Sequence, residues 1–334
     1  MTVYSKPYMS ARDRILNLFE ENGDLSVKEI TDKSFISKQM VHRVLNDLIH
    51  EQAIIKLGRA PKTVYRLIGK EKKEAPHALE DNRQTDFLKQ QFLLVTETGV
   101  LKEGSEGFEL WCKQRRLPFQ KTVDEFISTC SLYLKYQNEN GFIDGMEKLR
   151  STKGYSQIYL DGLFYLDFYA IERFGKTKLG TLLHYAKQGQ SKFLMKRLVD
   201  EIGNWLSKLC EILKVDAVLF VPPTIRREVQ LMKFIQTHSN LSLPVVQIKK
   251  ISGIIPVPQK SLPKLEERIL NAQNTFSISE TRIFEHVLLI DDAVGSGATV
   301  NEIAGKIKQK GISKKVSALA ITGSFKGFDV ITDV

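Results

Sequence analysis

The hydrophobic pattern changes period along the chain, and each change marks a new unit. Ile15, Leu16, Leu18 and Phe19 share one helical face, in a helix that starts after Ser10 and ends near Asn22-Gly23. Leu25-Ser26 leads into a short helix carrying Val27 and Ile30, and a third helix from Ser37 carries Met40, Val41, Val44, Leu45, Leu48 and Ile49. The period then falls to two. Ile54 to Leu57 and Thr63 to Leu67 read as strands joined by Gly58 to Lys62. The charged run from Lys70 to Asn82, with Pro76 inside it, reads as a linker. From Asp86 to about Ser151 the pattern is mostly helical. Phe108, Leu110 and Trp111 lie in one helix, and Phe126, Ile127, Leu132, Tyr133 and Tyr136 in another, with the aromatics expected in a core.

The last part alternates strands and helices. Ile158 to Phe168 reads as two short strands around Asp161-Gly162, and Lys192 to Leu213 as an amphipathic helix. Val215 to Val221 is a buried-strand run ending in a basic turn that holds Arg226 and Arg227. A helix with Val229, Met232, Phe234 and Ile235 and a strand at Val245 to Ile248 complete a βαβ unit. Lys249 to Phe276 is long, polar and rich in Lys and Pro, the composition of a mobile flap. The expected divisions are residues 1–69, a linker over 70–82, a mainly helical segment over 83–157, and an α/β domain over 158–334.

At 334 residues the chain accommodates about two domains. No apolar run approaches the length of a membrane helix, and the start of the sequence lacks a signal-peptide core, so a cytoplasmic protein without a membrane partner is expected. Cys112, Cys130 and Cys210 stand far apart with no CxxC, which argues against a zinc cluster or a disulfide framework. The net charge of +10 permits a polyanionic partner without requiring one.

Chemistry concentrates after the apolar run Val287 to Ile290, a buried parallel strand by pattern. Asp291 and Asp292 end that run, Ala293 and Val294 follow, and Gly295-Ser296-Gly297-Ala298-Thr299 supply small residues whose N–H groups can close around a phosphate. Thr299 and Glu302 have capping-box spacing, and Ile303 and Ile307 give the next helix its apolar face. The glycines fit neither GxGxxG nor the P-loop. Taken whole, the stretch closely resembles the 5-phosphoribosyl-1-pyrophosphate (PRPP) loop of type I phosphoribosyltransferases. Within that group, QKSLPKLEERILNAQNTF and the YAKQGQ turn at Tyr185 to Gln190 resemble the competence-associated ComF family. The cysteine zinc ribbon of ComF proteins is absent, and their VPVP-type turn is here VPPT, Val221 to Thr224.

The resemblance implies a phosphoribosyltransferase-type parallel sheet flanked by helices. It implies that Asp291 and Asp292 hold the ribose diol and, directly or through water, Mg²⁺. Residues Ala293, Val294, Gly295, Ser296, Gly297, Ala298 and Thr299 would bind PRPP, with the amides of Gly295 to Thr299 on its 5-phosphate. Arg226 and Arg227, with a flap cation from Lys249, Lys250 or Lys260, would take the pyrophosphate. PRPP, or a related phosphoribosyl nucleotide, is then either a transferase substrate or the signal of a regulator.

The N-terminal helices and hairpin resemble a winged helix-turn-helix. Its third helix would offer Lys38, Gln39, His42 and Arg43 to a groove of DNA or RNA, and its wing would bring Arg59 and Lys62 to phosphates. The bacterial purine repressor shares this broad plan. Some retron-associated toxins are similar in plan as well, so an antiphage effector restrained through nucleic acid is the alternative. A homo-oligomer is compatible with any of these readings.

Overall fold

A computed structural model describes residues 10–51, 53–58, 63–67, 82–223, 227–251 and 261–325. Arg59, Lys62, Arg226, Lys260 and residues 70–81 of the expected linker lie outside the described residues.

Serine caps define the N-terminal unit. Helix α1 (Ala11–Asn22) opens where Ser10 accepts a hydrogen bond from the Asp13 N–H, and closes at Gly23, whose φ of 72° sends its own N–H to the Phe19 carbonyl. Helix α2 (Val27–Ser34) starts on a complete capping box between Ser26 and Glu29. Helix α3 (Lys38–His50) is capped by Ser37. Strands β1 (Ile54–Leu57) and β2 (Val64–Leu67) pair antiparallel, and Leu25 bridges Tyr65 alongside. Ile15, Phe19, Ile30, Val41, Leu45 and Leu48 bury their side chains together beneath this hairpin.

The middle segment is helical with small strands between. Helix α4 (Asn82–Gln91) precedes strands β3 (Leu93–Val95) and β4 (Leu101–Glu103), followed by α5 (Gly104–Arg115) and α6 (Phe119–Leu134). Phe92, Phe108, Trp111, Phe126 and Phe174 fill its interior, with Phe92 edge-on to Phe108 at 4.9 Å between centroids. Tyr136 departs from the expected core: it is exposed and lies past the helix end against Phe168 and Phe325.

Strand β5 (Ile143–Asp144) joins the main sheet, and α7 (Met146–Ser151) follows it. Ile158 to Phe168 forms one strand rather than two, β6 (Gly162–Phe168), because the backbone just before it is engaged elsewhere. The buried amide of Asn301 accepts from the Tyr159 N–H at 2.8 Å and donates to the Gln157 carbonyl at 3.0 Å. After the short strands β7 (Ala170–Ile171) and β8 (Gly175–Lys176) come α8 (Lys178–Gly189), α9 (Lys192–Leu213) and β9 (Ala217–Phe220). Helix α10 (Leu231–His238) leads to a single parallel bridge from Val245 to Val218, not to the strand expected over Val245 to Ile248. The expected mobile flap is partly built structure. Strand β10 (Ile248–Lys250), helix α11 (Leu265–Thr275) and strand β11 (Phe276–Ile278) form an arm whose two strands pair antiparallel.

Strands β12 (Phe284–Val294) and β13 (Ser313–Gly323), joined through α12 (Ala298–Gln309), complete a sheet of order β5-β6-β13-β12-β9. Strands β6, β13, β12 and β9 run parallel and β5 antiparallel. Val287 and Leu289 pack with α12 residues Ile303 and Ile307, while Leu288 and Ile290 pack with Leu198 and Ile202 of α9 and Ile235 of α10. Each of these four β12 side chains is 0% exposed, so the strand is covered by helices on both faces. The result is a three-layer α/β/α arrangement with β12 inside it. At the far end of the sheet, buried His286 bonds the Leu213 carbonyl through Nδ1 and the Ser317 hydroxyl through Nε2, and burial holds its pKa below the usual value.

Candidate functional site

Parallel strands in such a sheet end together, and their C-terminal ends form a crevice where ligands bind. Strand β12 carries the acidic pair to that end. The strand does not stop at the carboxylates as the apolar run suggested: Asp291 stays in register with Ala320, Ala293 with Thr322 and Val294 with Gly323. Asp292 is 9% exposed and pairs with Lys187 of α8, Nζ to Oδ2, at 2.5 Å. Asp291 accepts the Asp292 N–H at 2.8 Å. Burial pushes the Asp291 carboxyl up to about 7, the neighbouring Asp292 charge adds to the rise, and Lys187 opposes it.

Gly297 makes the turn into α12. Its φ is +87°, and a Cβ there would stand 2.8 Å from Cδ1 of Leu149, so both the backbone and the space require glycine. Helix α12 begins at Ala298 with Gly297 as its N-cap. The expected capping box of Thr299 and Glu302 is therefore not formed; both residues lie inside the helix, and burial raises the Glu302 carboxyl. Two side chains hold the carbonyls of the loop. Tyr155 donates to the Ser296 carbonyl at 2.9 Å, and Ser324 to the Gly295 carbonyl at 3.4 Å. In a trans peptide the N–H points opposite to its C=O, so the N–H groups of Ser296 and Gly297 face away from Tyr155 and Ser324. Burial pushes the Tyr155 phenol up and keeps it a donor. Lys148 reinforces Ser324 by donating to its carbonyl at 2.8 Å, and burial lowers its own ammonium to about 8.

The C-terminal end of α8 links this loop to the basic turn after β9. Arg227 donates to the Gln188 side chain at 3.1 Å, and the Val229 N–H to the Gln190 side chain at 3.1 Å. Lys187, Gln188 and Gln190 thus connect the acidic pair with Arg227. Sequence reasoning noted their turn without giving them a role. Lys249 and Lys250 are arranged differently: they lie on β10 opposite Ser277 and Phe276, in a separate sheet from the acidic pair. Among the described residues, no group of three or more His, Cys, Asp or Glu side chains could hold a metal by itself. Two carboxylates completed by a ligand's phosphates and water fit Mg²⁺, which keeps several waters and dehydrates reluctantly.

On the winged helix, Lys38, Gln39, His42 and Arg43 are all exposed on α3, as a reading helix requires. Phe35 and Met40, which sequence reasoning did not assign to the site, are exposed beside them. Among the described residues, no helix is long and apolar enough to cross a membrane. No curated protein matches the chain. A family described as winged helix-turn-helix DNA-binding matches residues 10–54, which run from the Ser10 cap to the first residue of β1, so the chain carries a winged-helix DNA-binding domain at its N-terminal end.

Proposed function

We propose that the α/β domain has a phosphoribosyltransferase-type fold that binds PRPP with Mg²⁺, and that the winged helix makes the chain a nucleic-acid-binding regulator responsive to that ligand. One observation carries the reading. The Asp291-Asp292 pair stands at the C-terminal end of an inner parallel strand, directly before a glycine turn and a helix N-terminus. The N–H groups of Ser296 and Gly297, together with the first turn of α12, form an anion site suited to the 5-phosphate. The diol of the ribose suits the carboxylate of Asp291. Arg227, already oriented by Gln188, is the described cation nearest in the chain to the pyrophosphate position implied by the resemblance.

Mg²⁺ would be held by Asp291 and Asp292, directly or through water, and would neutralise the diphosphate it bridges. Binding then exchanges the Lys187–Asp292 pair for contacts to metal and ligand, leaving Lys187 available to the anion. The family match over residues 10–54 favours a regulator over a transferase acting alone. Transfer to a base remains the enzyme form of the same pocket, because binding and turnover use the same loop.

Calorimetry of the full chain with PRPP, with and without Mg²⁺, tests the reading. Asp291→Asn with Asp292→Asn is expected to abolish Mg²⁺-dependent binding while the melting curve stays cooperative. Unchanged PRPP affinity in the folded double variant would sink the proposal. Pyrophosphate release in the presence of one nucleobase would assign the enzyme form.

A further inference from the structure

The DNA-binding domain exposes two large apolar side chains among its described residues, one in the turn before its reading helix and one in that helix's first turn. Phe35 is 93% exposed and Met40 42% exposed, whereas the other large apolar residues of α1 to β2 turn inward or lie partly covered. Phe35 caps the C-terminal end of α2 with φ 55° and ψ 31°, a left-handed conformation that disfavours an aromatic residue and suits Gly or Asn. A phenyl ring there has neither a conformational nor a burial advantage. An outlier of this kind points to a use for the side chain outside the folded domain. Two residues later Ser37 caps α3, and Met40 stands in the first turn of that helix beside Gln39 and Arg43. The N-terminal residues of a reading helix are those that approach base edges in the major groove.

We infer that Phe35 and Met40 form an apolar reader for the C5-methyl groups of thymine, beside the polar readers Gln39 and His42. The thymine methyl is the one apolar group on the major-groove edge of a base pair, and aromatic side chains are among its partners. Lys38 and Arg43 supply the charge that holds the helix against phosphates, while the phenyl and thioether groups gain only where a methyl meets them. The domain would therefore prefer A·T-containing sites, and DNA over RNA of the same sequence, because uracil lacks the methyl. The inference rests on the DNA-binding reading of residues 10–54 and is independent of the PRPP pocket.

The test uses the full chain and a fluorescent A·T-rich duplex pool, prepared with thymine or with deoxyuridine in its place. Fluorescence anisotropy at low salt is expected to show about fourfold weaker binding for each methyl covered when deoxyuridine replaces thymine. Phe35→Asn is expected to bind the thymine pool less tightly and to narrow the distinction between pools to the share that Met40 supplies. Its melting temperature should be unchanged or raised, since Asn accepts the left-handed backbone. Equal binding of the two pools by the unsubstituted chain would overturn the inference, as would a Phe35→Asn variant whose preference is undiminished. A variant that changes the oligomeric state while leaving DNA affinity untouched would assign the ring to contact between copies of the chain and overturn it too. Failure to bind either pool would remove the DNA-binding reading together with this one.

Discussion

Single residues separate what local sequence can show from what it cannot. Asp291, Asp292 and Gly297 are neighbours in the chain, and their order alone suggested an anion and cation site. Lys187 is far upstream, and its pairing with Asp292 arises only when α8 packs against the sheet. No periodicity encodes such a contact. Asp167 was likewise illegible: it sits near the end of β6 beside a cavity of about 20 Å³ lined also by Cys130, Tyr133 and Thr177, room for a water molecule. Burial raises its carboxyl to about 7, well above the usual carboxylate range, against the opposing hydrogen bonds from Thr177 and the Phe168 N–H. The folded state therefore holds a proton that the unfolded state releases, from about pH 4 up to about pH 7. Stability falls as pH rises through that window. Because Asp167 keeps partial solvent contact, the loss expected between pH 5 and pH 8 is about 1–2 kcal/mol rather than the full linkage value. Asp167→Asn should remove this slope in denaturant titrations at the two pH values. An equal slope in both proteins would show that Asp167 ionises normally in the fold.

Whole elements were legible where their ends carry their own hydrogen-bonding residues. Ser10, Ser26 with Glu29, and Ser37 set the starts of α1, α2 and α3, and Gly23 stops α1. The amphipathic stripe of α9 gave Lys192–Leu213 from end to end. Elements were misread where a distant partner decides. Ile158 to Leu160 alternates like a strand, but Asn301 takes its backbone. Thr299 and Glu302 have cap spacing, but Gly297 lets the helix begin before them. The arm from β10 to β11 was misread through its polar composition. Its order comes from α12: Lys306 donates to the Gln273 and Phe276 carbonyls at 2.6 Å each, and Lys310 to the Ile278 carbonyl at 2.5 Å. Helix α11 is thus tied down without ligand, and amide exchange across Leu265–Thr275 is expected to be slow in the free protein. Lys306→Met keeps most of the side-chain stem and removes both charge-assisted bonds, at a cost of about 1–2 kcal/mol. Faster exchange confined to α11 and β11 would confirm the anchor. Exchange identical to that of the unsubstituted chain would show that the apolar contacts of Leu265 and Ala272 suffice.

At the scale of the whole molecule, a regulator requires that its two ligands affect each other. If PRPP with Mg²⁺ favours one state of the chain and DNA favours another, each must weaken the other's binding by the same factor; if both favour one state, each strengthens the other equally. Coupling of about 1–3 kcal/mol, or about 5- to 150-fold, is typical of such proteins. The experiment is a thermodynamic square on the full chain. PRPP affinity is measured by calorimetry with and without a saturating duplex, and duplex affinity by anisotropy with and without saturating PRPP and Mg²⁺. Ionic strength must be held fixed, because phosphate contacts make DNA affinity fall steeply with salt. Arg43→Ala provides an internal check: it should lower the salt slope by about one unit and leave PRPP affinity in the free chain unchanged. Equal factors on the two sides of the square, lost together in the Asp291→Asn, Asp292→Asn variant, are the expected result for a ligand-controlled DNA-binding protein. Superimposable titrations, with each ligand blind to the other, would make the winged helix a tether, and the search would move to the base that accepts a phosphoribosyl group.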